Sequence, residues 1–163
     1  MRVLGIDPGS RRTGWGVVQL EGTRLVHIGS GTISAPEKLP LAQRLHLIHL
    51  GLEEAVGQHA PETIAVEEIF FAKYANAAIK LGHARGVALL VAAQSGLELH
   101  EYPPAVVKRT VVGRGAADKV QVGRLVTALL GLKAPPEEDA ADALAVAITH
   151  IQAARSGALG RKR

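Results

Sequence analysis

Three short apolar runs joined by hairpin-length turns stand at the head of this chain, and after them strands alternate with helices. Arg2 to Ile6 (RVLGI) runs into Asp7-Pro8-Gly9, a strand stopped by a turn. Gly14 to Leu20 and Arg24 to Ile33 read as the second and third strands, with Glu21-Gly22-Thr23 as a tight hairpin between them. Glu37 to His59 is helical, because Leu41, Leu45, Ile48, Leu52 and Val56 recur at steps of three or four. Thr63 to Val66 is a fourth, buried strand that ends at Glu67-Glu68. Tyr74 to Ser95 is a long helix ended by Gly96, and Leu97 to Tyr102 is a fifth strand stopped by Pro103-Pro104. One or two helical turns over Ala105 to Val112, a helix over Lys119 to Leu130 and a last helix from Pro135-Pro136 to about Ala154 complete the chain. The long elements give the order β-β-β-α-β-α-β-α-α. Leading hairpins followed by alternation imply an α/β fold, a mixed sheet flanked by helices.

The whole chain is 163 residues, the length of one domain. The folded domain is expected to span 1–154, and 155–163 is a basic tail expected to be disordered. The absence of cysteine excludes a disulfide scaffold and any Cys-ligated metal centre. Aromatic residues make up only 3%, which argues against a single-strand binder built on stacked bases. No run reaches the roughly 18 apolar residues of a membrane span, and the start MRVLGIDPG lacks the apolar stretch of a signal peptide. The expected location is therefore cytoplasmic.

Acidic residues gather at the ends of elements. Asp7 ends the first strand, and Glu67 and Glu68 end the fourth. In mixed α/β sheets, sites collect at the carboxyl ends of strands. If strands one and four are neighbours, Asp7 and a glutamate share one cleft edge. Asp139 and Asp142, three apart at the start of the last helix, lie on one helix face. At about 100° per residue, Thr149 and His150 share that face, and Leu144, Ile148 and Ile151 lie opposite. Each acid also has a plainer role: a turn aspartate at Asp7, a solvated strand end at Glu67 or Glu68, an N-terminal helix charge at Asp139. Together they form an all-oxygen donor set suited to Mg²⁺ or Mn²⁺. Two such ions about 4 Å apart align water and a phosphodiester for in-line displacement.

Charge is divided along the chain. Residues 73–133 hold nine basic and three acidic side chains, whereas 134–154 hold four acidic and no basic ones. A basic stretch beside an acidic one suits a polyanion held near metal-binding carboxylates.

Four blocks carry a specific likeness. GIDPGSRRTGWGVV (5–18), VEEIFFAKYANAAIKLGHARGVAL (66–89), VKRTVVGRGAADKVQV (107–122) and DAADALAVAITH (139–150) resemble, in order and over nearly the whole chain, the motifs of the RuvC family of Holliday junction resolvases. The resemblance implies an RNase H-like fold with a mixed five-stranded sheet. It implies a homodimer that binds a four-way DNA junction and nicks two opposed strands symmetrically, leaving ligatable 5′-phosphate ends for recombination and repair. It places the catalytic and metal-binding carboxylates at Asp7, Glu67, Asp139 and Asp142, and selects Glu67 over Glu68. Some relatives carry histidine at the position of Asp139. Two Mg²⁺ ions per site are implied, with Mn²⁺ able to substitute. Lys108 and Lys119 match family lysines that support DNA binding, and Phe70 matches an aromatic that stacks on a base near the junction centre. Arg85 and Arg114 are DNA-contact candidates from charge alone. The usual family partner is the RuvA–RuvB branch-migration complex. The small-residue helix carrying Ala75, Ala77, Ala78, Gly82, Ala84, Gly86 and Ala88 is the implied dimer surface.

Three other readings compete. A phosphate-binding fold of the actin and sugar-kinase type shares the Asp-Gly turn but needs a second domain. A related nuclease would act on structured RNA precursors, and an inactive junction-binding module would lack cleavage. The basic tail generates a first prediction. Deleting 156–163 removes Arg161, Lys162 and Arg163 and should flatten the log–log salt dependence of DNA binding by up to about 3. An unchanged slope in a salt titration overturns this role.

Overall fold

The computed structural model describes residues 1–68, 75–113 and 119–157. Among these residues five strands and five helices follow one another as β1 (Arg2–Asp7), β2 (Arg12–Glu21), β3 (Arg24–Ser34), α1 (Leu41–His59), β4 (Thr63–Glu67), α2 (Ala75–Gln94), β5 (Glu98–Tyr102), α3 (Pro104–Val112), α4 (Lys119–Leu130) and α5 (Glu138–Arg155). The sheet order is β3-β2-β1-β4-β5. The first three strands pair antiparallel, and β4 joins β1 and β5 in parallel. This is the mixed sheet that leading hairpins and later alternation demand. None of the helices among the described residues is long and apolar enough to cross a membrane.

Where the elements depart from the sequence reading, prolines explain two of the shifts. α1 begins at Leu41 rather than Glu37, because Pro40 disfavours helical backbone at the residue before it. α5 begins at Glu138, past the Pro135-Pro136 pair, with Glu137 as its N-cap. The segment read as one or two turns is the nine-residue helix α3, with Pro104 at its first position, where a missing N–H loses nothing. β2 starts at Arg12, two residues before Gly14, because Arg12 and Thr13 pair with Ser34 and Ile33.

The sheet divides the core in two. Leu4, Ile6, Val17, Ile64 and Val66 meet α1 and α2 on one face. Val3, Val18 and Ala65 meet α3, α4 and α5 on the other. Along β1 the side chains alternate as a pleat requires. Leu4 and Ile6 go to the α1–α2 face; Val3, Gly5 and Asp7 go to the α5 face.

α5 is buried continuously from Ala140 to Ile151, apart from half-buried Asp142. The polar side expected from periodicity is therefore covered too: Thr149 and His150 are each 2% exposed. α3 and α4 close over it. The sheet side of α5 sits unusually near β1 and β2. A methyl group at Gly5 would overlap the Ala143 carbonyl and lie 2.7 Å from the Ala147 nitrogen. One at Gly14 would overlap the Asp139 carbonyl and lie 3.2 Å from the Ala140 nitrogen.

His150 and Tyr102 form a buried polar pair at 2.9 Å, and the His100 ring packs tilted against His150 with centroids 4.4 Å apart. Burial, and then the charge of His100, push the His150 pKa down to about 4, with Glu98 opposing. Glu98 lies 3.3 Å from His100.

Two outcomes follow for stability. Gly5→Ala should destabilise by about 3 kcal/mol, since backbone rather than a flexible side chain must move. Gly57→Ala, where nothing lies within 4 Å, should instead stabilise α1 by about 0.5–1 kcal/mol. Equal denaturation midpoints for the two variants would refute the close seat of α5. For His150, a folded pKa below the unfolded value near 6.5 means that its contribution is complete above pH 6.5. It is lost as pH falls from about 6.5 through 4, by about 3 kcal/mol in all. His150→Gln should lose stability less steeply than the wild type between pH 6.5 and 5, and parallel denaturation curves would contradict this.

Candidate active site

Parity and register bring two of the acids together. Asp7 shares its β1 face with Gly5, and Glu67 shares its β4 face with Ala65, which packs in the α5-side core. Ile6 pairs with Val66 in the parallel β1–β4 ladder, so Asp7 and Glu67 are the next step along adjacent strands. Both therefore project toward α5 at the carboxyl edge of the sheet. Asp142 comes from the first turns of α5, which the glycine seat holds against that same edge.

Asp7, Glu67 and Asp142 line one cavity of about 230 Å³, with Pro104, Val107 and Lys108 of α3 and Val122 of α4. α3 thus delivers a cation to a carboxylate site under an apolar wall. Glu68, one residue past the end of β4, is not among the residues lining the cavity, and its backbone N–H donates to the Tyr102 carbonyl at 2.9 Å. Of the two glutamates, Glu67 is the one that lines the cavity.

Asp139, the remaining candidate, is not among the residues lining that cavity. Its Oδ2 accepts a 2.6 Å hydrogen bond from Arg12 Nε, while Arg12 also donates to Glu137 Oε2 at 3.0 Å. The hydrogen bond and then the charge of Asp139 raise the Arg12 pKa, so the guanidinium stays charged. Among the described residues no three Asp, Glu or His side chains stand close enough together, as placed, to hold an ion. The chemistry of the donor set nevertheless fits a hard divalent cation: the acids in the cavity are all carboxylates, and neither sulfur nor imidazole lines it.

The loop that carries Asp7 into β2 is firmly closed. Thr13 is fully buried, and its hydroxyl donates to the Gly9 carbonyl at 2.9 Å. Arg44 of α1, 5% exposed, donates to the Ala35 carbonyl at 3.2 Å and to the Ser10 carbonyl. The Ala35 N–H donates to the Arg11 carbonyl at 2.7 Å. Sequence reasoning missed Arg12 and Arg44, since their partners lie up to 127 residues away and leave no local pattern.

The cation candidates separate. Lys108 reaches the cavity. Arg85 pairs with Glu101, which alternates with Tyr102 along β5 and so lies on the α1–α2 side, across the sheet from the carboxylates. Lys119 opens α4. Phe70, Arg114 and the tail from 158 lie outside the described residues.

Residues 3–150 match the family model for the crossover junction endodeoxyribonuclease RuvC. The chain is 56% identical over 154 residues to the crossover junction endodeoxyribonuclease RuvC of Sorangium cellulosum (strain So ce56), covering 94% of this chain and 86% of that one. It is 54% identical to the enzyme of the same name from Rhodopseudomonas palustris (strain BisA53), covering 98% and 94%. The structure of Thermus thermophilus RuvC in complex with a Holliday junction substrate superposes with a TM-score of 0.90 at 38% identity, over 96% of each chain. The fold is the RNase H-like one that the resemblance implied. With family model, sequence and fold in agreement over nearly its full length, this chain belongs to the RuvC family of crossover junction endodeoxyribonucleases.

Proposed function

We propose that this chain resolves four-way DNA junctions with Asp7, Glu67, Asp142 and Asp139 as its metal-binding carboxylates. The observation that carries the reading is the single cavity in which acids from β1, β4 and α5 meet Lys108 from α3. Divalent-metal dependence goes with the family. In this reading the carboxylates hold two Mg²⁺ ions, for which Mn²⁺ substitutes. When bound, the ions supply Lewis-acid activation of water and stabilisation of the leaving 3′ oxygen.

The chain's own residues do the rest. Asp7 shares the cavity with Glu67 of the neighbouring strand and Asp142 of α5, and these three carboxylates would hold the metal there. Lys108 sets a positive charge beside the acids, where it offsets the repulsion between carboxylates and the incoming phosphodiester. Pro104, Val107 and Val122 restrict bulk water on one side of the cavity. Lys119, Arg114, Arg85 and Phe70 are proposed DNA contacts, Phe70 by stacking near the junction centre. Arg85 would have to be reached from the far sheet face, or freed from Glu101.

A homodimer fits a substrate with two equivalent scissile strands. α2 supports it. Ala84 and Ala88 pack inward, while Ile79 and Leu90 are 59% and 50% exposed, and Gly82 and Gly86 have open space beside them. Partnership with the RuvA–RuvB complex and a cytoplasmic location complete the proposal.

On a synthetic mobile junction with Mg²⁺, the wild type should give paired, symmetric, ligatable nicks, abolished by EDTA and absent on linear duplex. Asp7→Asn should lose more than about 100-fold in rate, beyond the effect of losing an outer-shell partner, while junction binding persists. Lys108→Ala should lower the single-turnover rate by about 100-fold with little change in binding. Tight binding without nicks in either metal would support a binding module, and preferential cleavage of structured RNA would support the RNA-processing alternative.

A further inference from the structure

One candidate ligand is held by a cation outside the cavity, and the geometry has a consequence for metal binding. Asp142 lines the cavity, but Asp139, almost one turn earlier on α5, meets the Arg12 guanidinium instead. The grip is two-pronged. Arg12 Nε lies 2.6 Å from Asp139 Oδ2, and a terminal nitrogen lies 3.0 Å from Glu137 Oε2. Its backbone is fixed where β2 begins, one residue before fully buried Thr13 and two after the Ser10 carbonyl that Arg44 holds. The Asp139 backbone is equally fixed, because its carbonyl rests on Gly14. Both ends of the ion pair are thus anchored, and only side-chain torsions separate its two states. A carboxylate oxygen in a short charge-assisted hydrogen bond is not offered to a cation through the same lone pair.

We propose that Arg12 is a latch on Asp139: the guanidinium and a divalent cation compete for one carboxylate, and metal binding must displace Arg12. This rests on the reading of Asp139 as a metal ligand. The latch is weak enough to open, because the Arg12 side chain is 53% exposed and that of Asp139 is 24% exposed. It stays charged at every working pH, because arginine does not deprotonate in proteins. Glu137, at the N-cap of α5, gives the displaced guanidinium a second carboxylate to rest on. The proposal makes a directional claim. A residue that merely orients a ligand weakens metal binding when removed, whereas a competitor strengthens it.

The test uses the full chain and Mn²⁺ as the probe, with free Mn²⁺ followed by electron paramagnetic resonance. Arg12→Ala should tighten Mn²⁺ binding about two- to five-fold, the size of an exposed ion pair's contribution. The Mg²⁺ concentration for half-maximal junction nicking should fall by the same factor. Arg11→Ala removes an equal charge from a neighbouring side chain that pairs with Glu37 at 2.6 Å, and should leave the affinity unchanged. Equal tightening in both variants would mean a general field effect and overturn the latch. Asp139→Asn separates the two layers. If it weakens Mn²⁺ binding while Arg12→Ala does not tighten it, the latch is wrong and the ligand assignment stands. If Asp139→Asn binds Mn²⁺ as the wild type does, the ligand assignment falls and the latch falls with it.

Discussion

The backbone of α5 lies directly on β1 and β2, and this contact sets the position of most other functional groups in the molecule. It is possible only because Gly5 and Gly14 present no side chain where the helix passes. The helix answers in kind, with Ala140, Ala143 and Ala147 at the seam. Close-packed interiors do not deform continuously, so a methyl group in this seam lifts the helix as a body. Lifting α5 also carries Asp142 away from Asp7 and shifts α3 and α4, which pack over it. Fold stability and site geometry therefore share one contact.

The pleat does the second part of the work. Because strand side chains alternate, the same face that takes Gly5 takes Asp7, and the face that takes Ala65 takes Glu67. A slip of one residue in β1 would turn Asp7 toward α1 and α2, into the core of Leu4, Ile6, Ile48 and Leu52. Burying an unpaired carboxylate there is so unfavourable that hydrophobic patterning protects the register of the site as well as the core.

That dependence explains how much could be read without coordinates. Strand ends, helix spacing and the order of elements are local patterns, and they sufficed for the mixed sheet and for four acids at element ends. The start of α1 was misread at Glu37 because helical spacing was followed past Pro40, whose effect on the residue before it places the start at Leu41. Residue pattern alone left Glu67 and Glu68 open, and only the family likeness chose between them, because strand parity relative to a packed neighbour is not contained in a single strand. Arg12 and Arg44 were illegible for a stronger reason. Arg12 meets Asp139 across 127 residues, and Arg44 grips carbonyls that any residue could supply. The amphipathic picture of α5 was incomplete because periodicity reports one apolar side and is silent when a second layer covers the other.

The charge divided along the sequence is recombined in space. The acid-rich segment 134–154 carries Glu137, Glu138, Asp139 and Asp142, yet each of its sites meets a cation from elsewhere. Lys108 shares the cavity of Asp142, Arg12 bridges Glu137 and Asp139, and Arg124 lines a second cavity with Glu138. A nuclease that works on a polyanion with carboxylates has opposed needs, since the acids that bind metal repel the substrate. Three cations from β2, α3 and α4 around the start of one acidic helix reduce that repulsion. Where a cation does grip a candidate ligand, at Asp139, the pair is exposed and its bond is of the kind that a divalent ion can outcompete. The arrangement lets the same helix be held to the sheet by glycine, framed by basic residues, and still present Asp142 to the cavity.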